Sequence, residues 1–179
     1  MLIYILLGVA VVVVVFLVVV ALQPGNFRVT RTAKISAPPA VVFPHVNDFH
    51  QWQAWSPWAK MDPAAKNTFA GPEAGVGATF SWDGNKKVGA GRMTNLESRP
   101  NAFVKFKLEF FKPFQAVNTA EFSFAPDGAQ TLVTWSMYGP NNFVGKAMHL
   151  LIDCDKMIGG QFEQGLANLK ALAEADTKR

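Results

Sequence analysis

The chain has 179 residues, with 17 Lys and Arg against 13 Asp and Glu, a formal net charge of +4. That length suits one domain, and the basic residues form no cluster dense enough for a nucleic-acid footprint, so nucleic acid is not an expected partner. The only cysteine, Cys154, excludes an intrachain disulfide and a multi-cysteine metal site.

The first two dozen residues inflate the 50% hydrophobic content. Leu2 to Leu22 carries no charge and, as a helix, is long enough to cross a hydrocarbon core of about 30 Å. No Lys or Arg precedes it, and Ala21-Leu22-Gln23 makes a poor cleavage site, which disfavours a removed signal peptide. It is also far too long for a core strand in a small domain. Residues 1–23 are therefore expected to form a single transmembrane anchor and residues 24–26 a short tether. The folded domain is expected over 27–175. Arg28, Arg31 and Lys34 follow the span closely, which places the domain on the cytoplasmic side, although the same side chains also fit a first strand.

Phe27 to Ser36 alternates: Phe27, Val29, Ala33 and Ile35 take one face, with Arg31 interrupting them. Pro38-Pro39 ends this strand and opens a short helix to about Val46, which Pro44 should distort. A second short helical piece near Asp48 to Ala54 leads into Trp55-Ser56-Pro57-Trp58. Met61 to Gly75 reads as loop. Five strand-like segments follow, from Val76 to Trp82, Val88 to Leu96, Phe103 to Phe111, Val117 to Phe124 and Thr131 to Met137. The Asp83-Gly84-Asn85-Lys86 and Pro126-Asp127-Gly128 stretches are turn signals.

From Asn141 to about Glu174, apolar residues recur every three or four positions, including Phe143, Leu150, Leu151, Cys154, Phe162, Leu166 and Leu169. This predicts one long amphipathic helix, capped by Asn141 or Asn142, with Cys154 a buried inert thiol on its apolar stripe. The expected architecture is α+β: a curved antiparallel sheet of about six strands gripping a long C-terminal helix. One sheet face should be covered and the other wet.

Catalytic signals are sparse. His45, His50 and His149 have no metal-ligand spacing, and neither a nucleophile elbow nor a phosphate-binding loop is present. No metal, cofactor or catalytic residue is assigned. Glu109 and Glu121 share a face with Lys105, Lys107, Thr119 and Ser123, so solvated cross-strand pairing accounts for them. Asn118 differs, because it shares a face with Ala120, Phe122 and Phe124. A buried amide needs hydrogen-bond partners, supplied by neighbours or by the polar end of a ligand.

The element order and several strings resemble the START/Bet v 1-like (SRPBCC) superfamily, in particular its polyketide cyclase/dehydrase-like branch. These strings are Ile35 to Phe43, Trp55 to Trp58, Gly75 to Ala78, Gly139 to Phe143, Asp155 to Ile158 and Phe162 to Lys170. The resemblance covers about Phe27 to Glu174 and implies a helix-grip fold with an elongated apolar cavity between the sheet and the last helix. It turns inward residues that would otherwise read as ordinary core into cavity candidates: Trp55, Trp58, Phe80, Trp82, Phe106, Phe110, Asn118, Trp135, Met137, Met148 and Leu151. The expected function is membrane-tethered binding or transport of a hydrophobic small molecule or lipid. The alternatives are a polyketide cyclase/dehydratase-like enzyme and an interaction domain with a closed core.

Overall fold

The computed structural model describes residues 1–151 and 153–178, except for the side chains of His149 and Leu151. Helix α1 (Leu2–Leu22) is long and apolar enough to cross a membrane, and only Val20 in it is buried. After a three-residue link the chain enters β1 (Asn26–Ile35). Helix α2 (Pro39–Asn47), a 3-10 turn (Phe49–Gln51), α3 (Trp52–Trp55) and α4 (Pro57–Met61) follow. Strands β2 (Lys66–Ala70), β3 (Thr79–Asp83), β4 (Ala90–Arg99), β5 (Phe103–Lys112), β6 (Ala116–Asp127) and β7 (Gln130–Pro140) then lead to α5 (Phe143–Leu151) and α6 (Cys154–Asp176).

The sheet is antiparallel with seven strands in the order β1-β7-β6-β5-β4-β3-β2. It curves around α6, as expected of a helix grip. One strand exceeds the number expected. β2 lies in the stretch read as loop because four of its five residues are exposed, which leaves only Phe69 to mark the pairing with β3. An edge strand exposed on both faces lacks the alternation that betrays a strand in sequence.

The expected single C-terminal helix is instead two. Asp153 accepts a hydrogen bond from the Lys156 main-chain N–H at 2.9 Å and so caps the start of α6. Upstream, the Asn142 side chain accepts from Gly145 N–H at 2.8 Å and starts α5. The apolar period runs through both segments, so periodicity alone could not locate the break. In α2, Pro44 is accommodated within the helix, which continues to Asn47.

Alternation in the strands delivers the core. Val29, Val104, Phe106, Phe122, Phe124, Val133 and Trp135 point inward, against Val42, Val46, Phe49 and Trp52 from the short helices and Phe162, Leu166 and Leu169 from α6. Arg31, the residue that interrupts the inward face of β1, is held by α6. Its guanidinium donates to Asp155 at 2.9 Å and to Glu163 at 2.6 Å. Gly159 makes room for this clamp, since a Cβ there would stand 1.9 Å from Arg31 Nη2. The outward face carries the cross-strand pairs anticipated for Glu109 and Glu121, although their carboxylate side chains are only 14% and 19% exposed rather than fully solvated. Glu109 accepts from Arg92 and Lys107, and Lys105 pairs with Glu121.

Candidate functional site

Helix α6 lies mainly along β1. The strands at the other side of the sheet are therefore roofed by the short helices, and a gap remains between α4, the N-terminal half of α6 and β3 to β7. This gap is a cavity of about 390 Å³. Phe80, Trp82, Met93, Leu108, Phe110, Ala120, Trp135 and Met137 form its floor, Trp52, Ser56, Trp58 and Ala59 its roof, and Ile158 and Phe162 one wall. Its volume falls within the range of small-molecule pockets, about 300–1,000 Å³.

Rigid indoles set the shape of the walls. Trp135 stacks on Phe162 with ring centroids 4.0 Å apart and on Phe122 at 4.7 Å, tying β7 to α6. Gly165 permits this approach, because a Cβ there would lie 2.8 Å from the Trp135 ring. Trp82 is oriented by donation from Nε1 to Val88 O at 3.1 Å, and its ring lies over Gly91. Trp52 and Trp55 donate to Val46 O and His45 O at 2.8 and 2.9 Å. Trp135 Nε1 is buried and has no hydrogen-bond partner among the described residues. Around it Trp52, Trp55 and Trp58 stand edge-on to its ring.

Polar groups are few. Asn118 is 8% exposed and lines the cavity, and no side-chain hydrogen bond joins it to another described residue. Gly139 lies against it, so closely that a Cβ would stand 2.3 Å from Asn118 Oδ1. Three charged residues belong to the lining: Lys87 is exposed, and Asp62 and Lys112 are engaged in the scaffold. Asp62 accepts from the main-chain N–H groups of Ala64 and Asn85, and Lys112 pairs with Asp83. No group of His, Cys, Asp and Glu suited to holding a metal occurs among the described residues.

The other titratable residues serve the frame. His45 is buried and bridges Gln51 to Asp176, while His50 caps with Asp48 and stacks on Phe69. Arg31 beside Asp155 holds that carboxyl below the usual range. Burial, then Asp153, pushes the Cys154 thiol up, as befits an inert buried side chain.

A family model described as polyketide cyclase / dehydrase and lipid transport matches residues 26–174. The chain belongs to this family. Solved structures share the fold. Protein CV1439 from Chromobacterium violaceum aligns at 18% identity over 85% of this chain and 99% of its own, with a TM-score of 0.59. Ms6760 from Mycobacterium smegmatis aligns at 19% identity over 83% and 92%, with a TM-score of 0.58. The di-domain aromatase/cyclase StfQ of the steffimycin biosynthetic pathway aligns at 10% identity over 86% of this chain and 52% of its own, with a TM-score of 0.62. At these identities the likeness concerns architecture alone. No curated protein gives a significant sequence match.

For this polyketide cyclase-like chain, Trp58, Phe80, Trp82, Phe110, Asn118, Trp135 and Met137 of the sequence candidates line the cavity. Trp55 and Phe106 are instead fully buried in the aromatic core, and Met148 lies on the surface of α5. The Leu151 side chain lies outside the described residues. Sequence reasoning missed Met93, Leu108, Ile158 and Phe162. Phe162 and Ile158 were on the recognised apolar stripe, but which turn of it meets a void depends on where α6 starts.

Proposed function

We propose that this domain binds a hydrophobic small molecule or lipid in the cavity between the sheet and α6, while α1 holds it at a membrane. The carrying observation is the chemistry of the cavity: a lining mostly of rings and methyl groups, in which Asn118 is a buried amide. Such a lining gains from removing apolar surface from water, at about 25 cal/mol per Å² less ordering costs, while one amide orients a polar end. The family's description, which couples cyclase/dehydrase activity with lipid transport, supports a hydrophobic ligand in either case. Engagement of Asp62 and Lys112 in the scaffold favours binding over acid–base chemistry. The short link between α1 and β1 adds a reason to favour a membrane-derived ligand, because a tethered cavity shortens the passage of an insoluble molecule through water. The charges after α1 favour the cytoplasmic face.

The test is native mass spectrometry of the full chain released from its own membrane in mild detergent, followed by titration with fatty acids, phospholipids and aromatic polyketide-like compounds. Stoichiometric retention or saturable binding is expected, and Ala120→Leu, which places extra methyl groups in the cavity, should weaken it. Failure of every class to bind rejects the carrier reading. Turnover of a bound compound, lost on changing Asn118 or Ser56, would reassign the domain to an enzyme.

A further inference from the structure

Antiparallel register brings to one end of the sheet the start of β1, the end of β7, the start of β6 and the end of β5, through the pairs Asn26–Pro140, Thr119–Tyr138 and Phe110–Ala116. This is the end at which α1 enters. It is also where Phe27, Phe110, Lys112, Pro113 and Asn118 line the cavity. Large apolar side chains are left in solvent there. Phe111 is 48% exposed, Phe114 63% and Val117 51% around the β5–β6 turn, while Phe143 and Val144 at the start of α5 are 49% and 55% exposed. Outside α1, the exposed large apolar residues at the opposite end are Val76 and Leu96. Two contacts fix α5 beside the end of α1. Lys146 Nζ donates to Ala21 O at 3.1 Å, and Asn141 N–H donates to Gly25 O at 2.8 Å. Lys86 and Lys87, in the adjoining β3–β4 turn, are exposed and flank the apolar residues.

We propose that the β5–β6 turn and α5 form a docking rim that inserts into the headgroup and acyl boundary of the bilayer holding α1, with the cavity mouth facing the lipid. This rests on α1 being a membrane anchor. The bilayer is favoured over a protein partner because the rim is continuous with α1: a membrane that receives Leu22 lies within a few residues of Phe27 and α5. Exposed rings rimmed by lysines are the composition of interfacial segments, which draw on apolar insertion and on attraction to anionic lipid.

Depth-dependent quenching in the full chain tests this. In a Cys154→Ser background, single cysteines replace Gln115 beside the rim, Val11 within α1, or Ala129 in the β6–β7 turn. Ala129 lies about 35–40 Å away at the strand rise. Each is labelled with an environment-sensitive fluorophore and reconstituted into phosphatidylcholine vesicles carrying spin-labelled lipid. The expected result is quenching at 11 and 115 but not at 129, with quenching at 115 rising when phosphatidylglycerol is added. Phe111→Ser with Phe114→Ser should return the 115 signal to the level at 129. Quenching at 11 with none at 115 overturns the docking rim and leaves the anchor standing. Absence of quenching at both positions overturns both, and persistence of the 115 signal in the double variant shows that the rim is not what docks.

Discussion

Asn118 is a largely buried amide on a wall built mostly of rings and methyl groups, and replacing such a polar group by an apolar one of similar shape can be nearly neutral or stabilising. Asn118→Leu should therefore leave the stability of the ligand-free protein unchanged or raised in a denaturant melt. The same variant should lower affinity for a ligand with a polar end while sparing a hydrocarbon of equal length. At Arg31 the electrostatics have a definite sign. Hydrogen bonding to Arg31 lowers the Asp155 carboxyl, and Lys107 and then Arg92 do the same to Glu109. A carboxyl lowered on folding stabilises the native state above its unfolded value and loses that contribution as pH falls through the lowered one. Arg31→Met should thus be less stable than the parent near neutrality and converge with it below about pH 4. Thermal melts across that range check this, and a constant gap would show that the clamp acts through packing.

At the scale of elements, the contact between α6 and the sheet is set by small residues facing large ones. Leu166 is fully buried, so Leu166→Ala should cost about 2–5 kcal/mol. Lys170 is exposed, donates to Lys34 O and lies near Glu174, so Lys170→Ala should cost less than about 1 kcal/mol. Gly165→Ala should be the informative middle case. Its Cβ would press on Trp135, a rigid ring held between Phe122 and Phe162, and overpacking of that kind costs about 1–3 kcal/mol. Chemical melts of the three variants rank these effects, and equal losses would mean that α6 does not pack as described. The break between α5 and α6 matters in the same way. It frees α5 to turn toward α1 while α6 stays on β1, which a straight helix from Asn141 to Glu174 would not do.

For the whole molecule, the apolar helix and the domain are joined by so little chain that they should behave as one membrane-bound unit. After an alkaline wash the full chain should remain in the pellet; its appearance in the supernatant would reject the anchor. Protease accessibility of the domain in sealed vesicles separately checks its expected cytoplasmic placement.

The sequence by itself determined the apolar helix from Leu2 to Leu22, the alternating strands, the charge pairing around Glu109 and Glu121 and the apolar stripe of the last segment. Each of these is a local period or a local composition, and the backbone geometry of helix and strand converts such a period into a face. Tertiary structure alone decided the rest. β2 gains its partner only from β3, and the helix break depends on a cap at Asp153 set inside an unbroken apolar pattern. The division of the rings into core and cavity is likewise non-local. Phe106 and Phe110 have the same phase on β5, yet Phe106 meets Phe49 and Trp52 from the short helices while Phe110 opens to the void beyond them. An inward phase says that a ring leaves solvent. What it meets there depends on which element covers that part of the sheet.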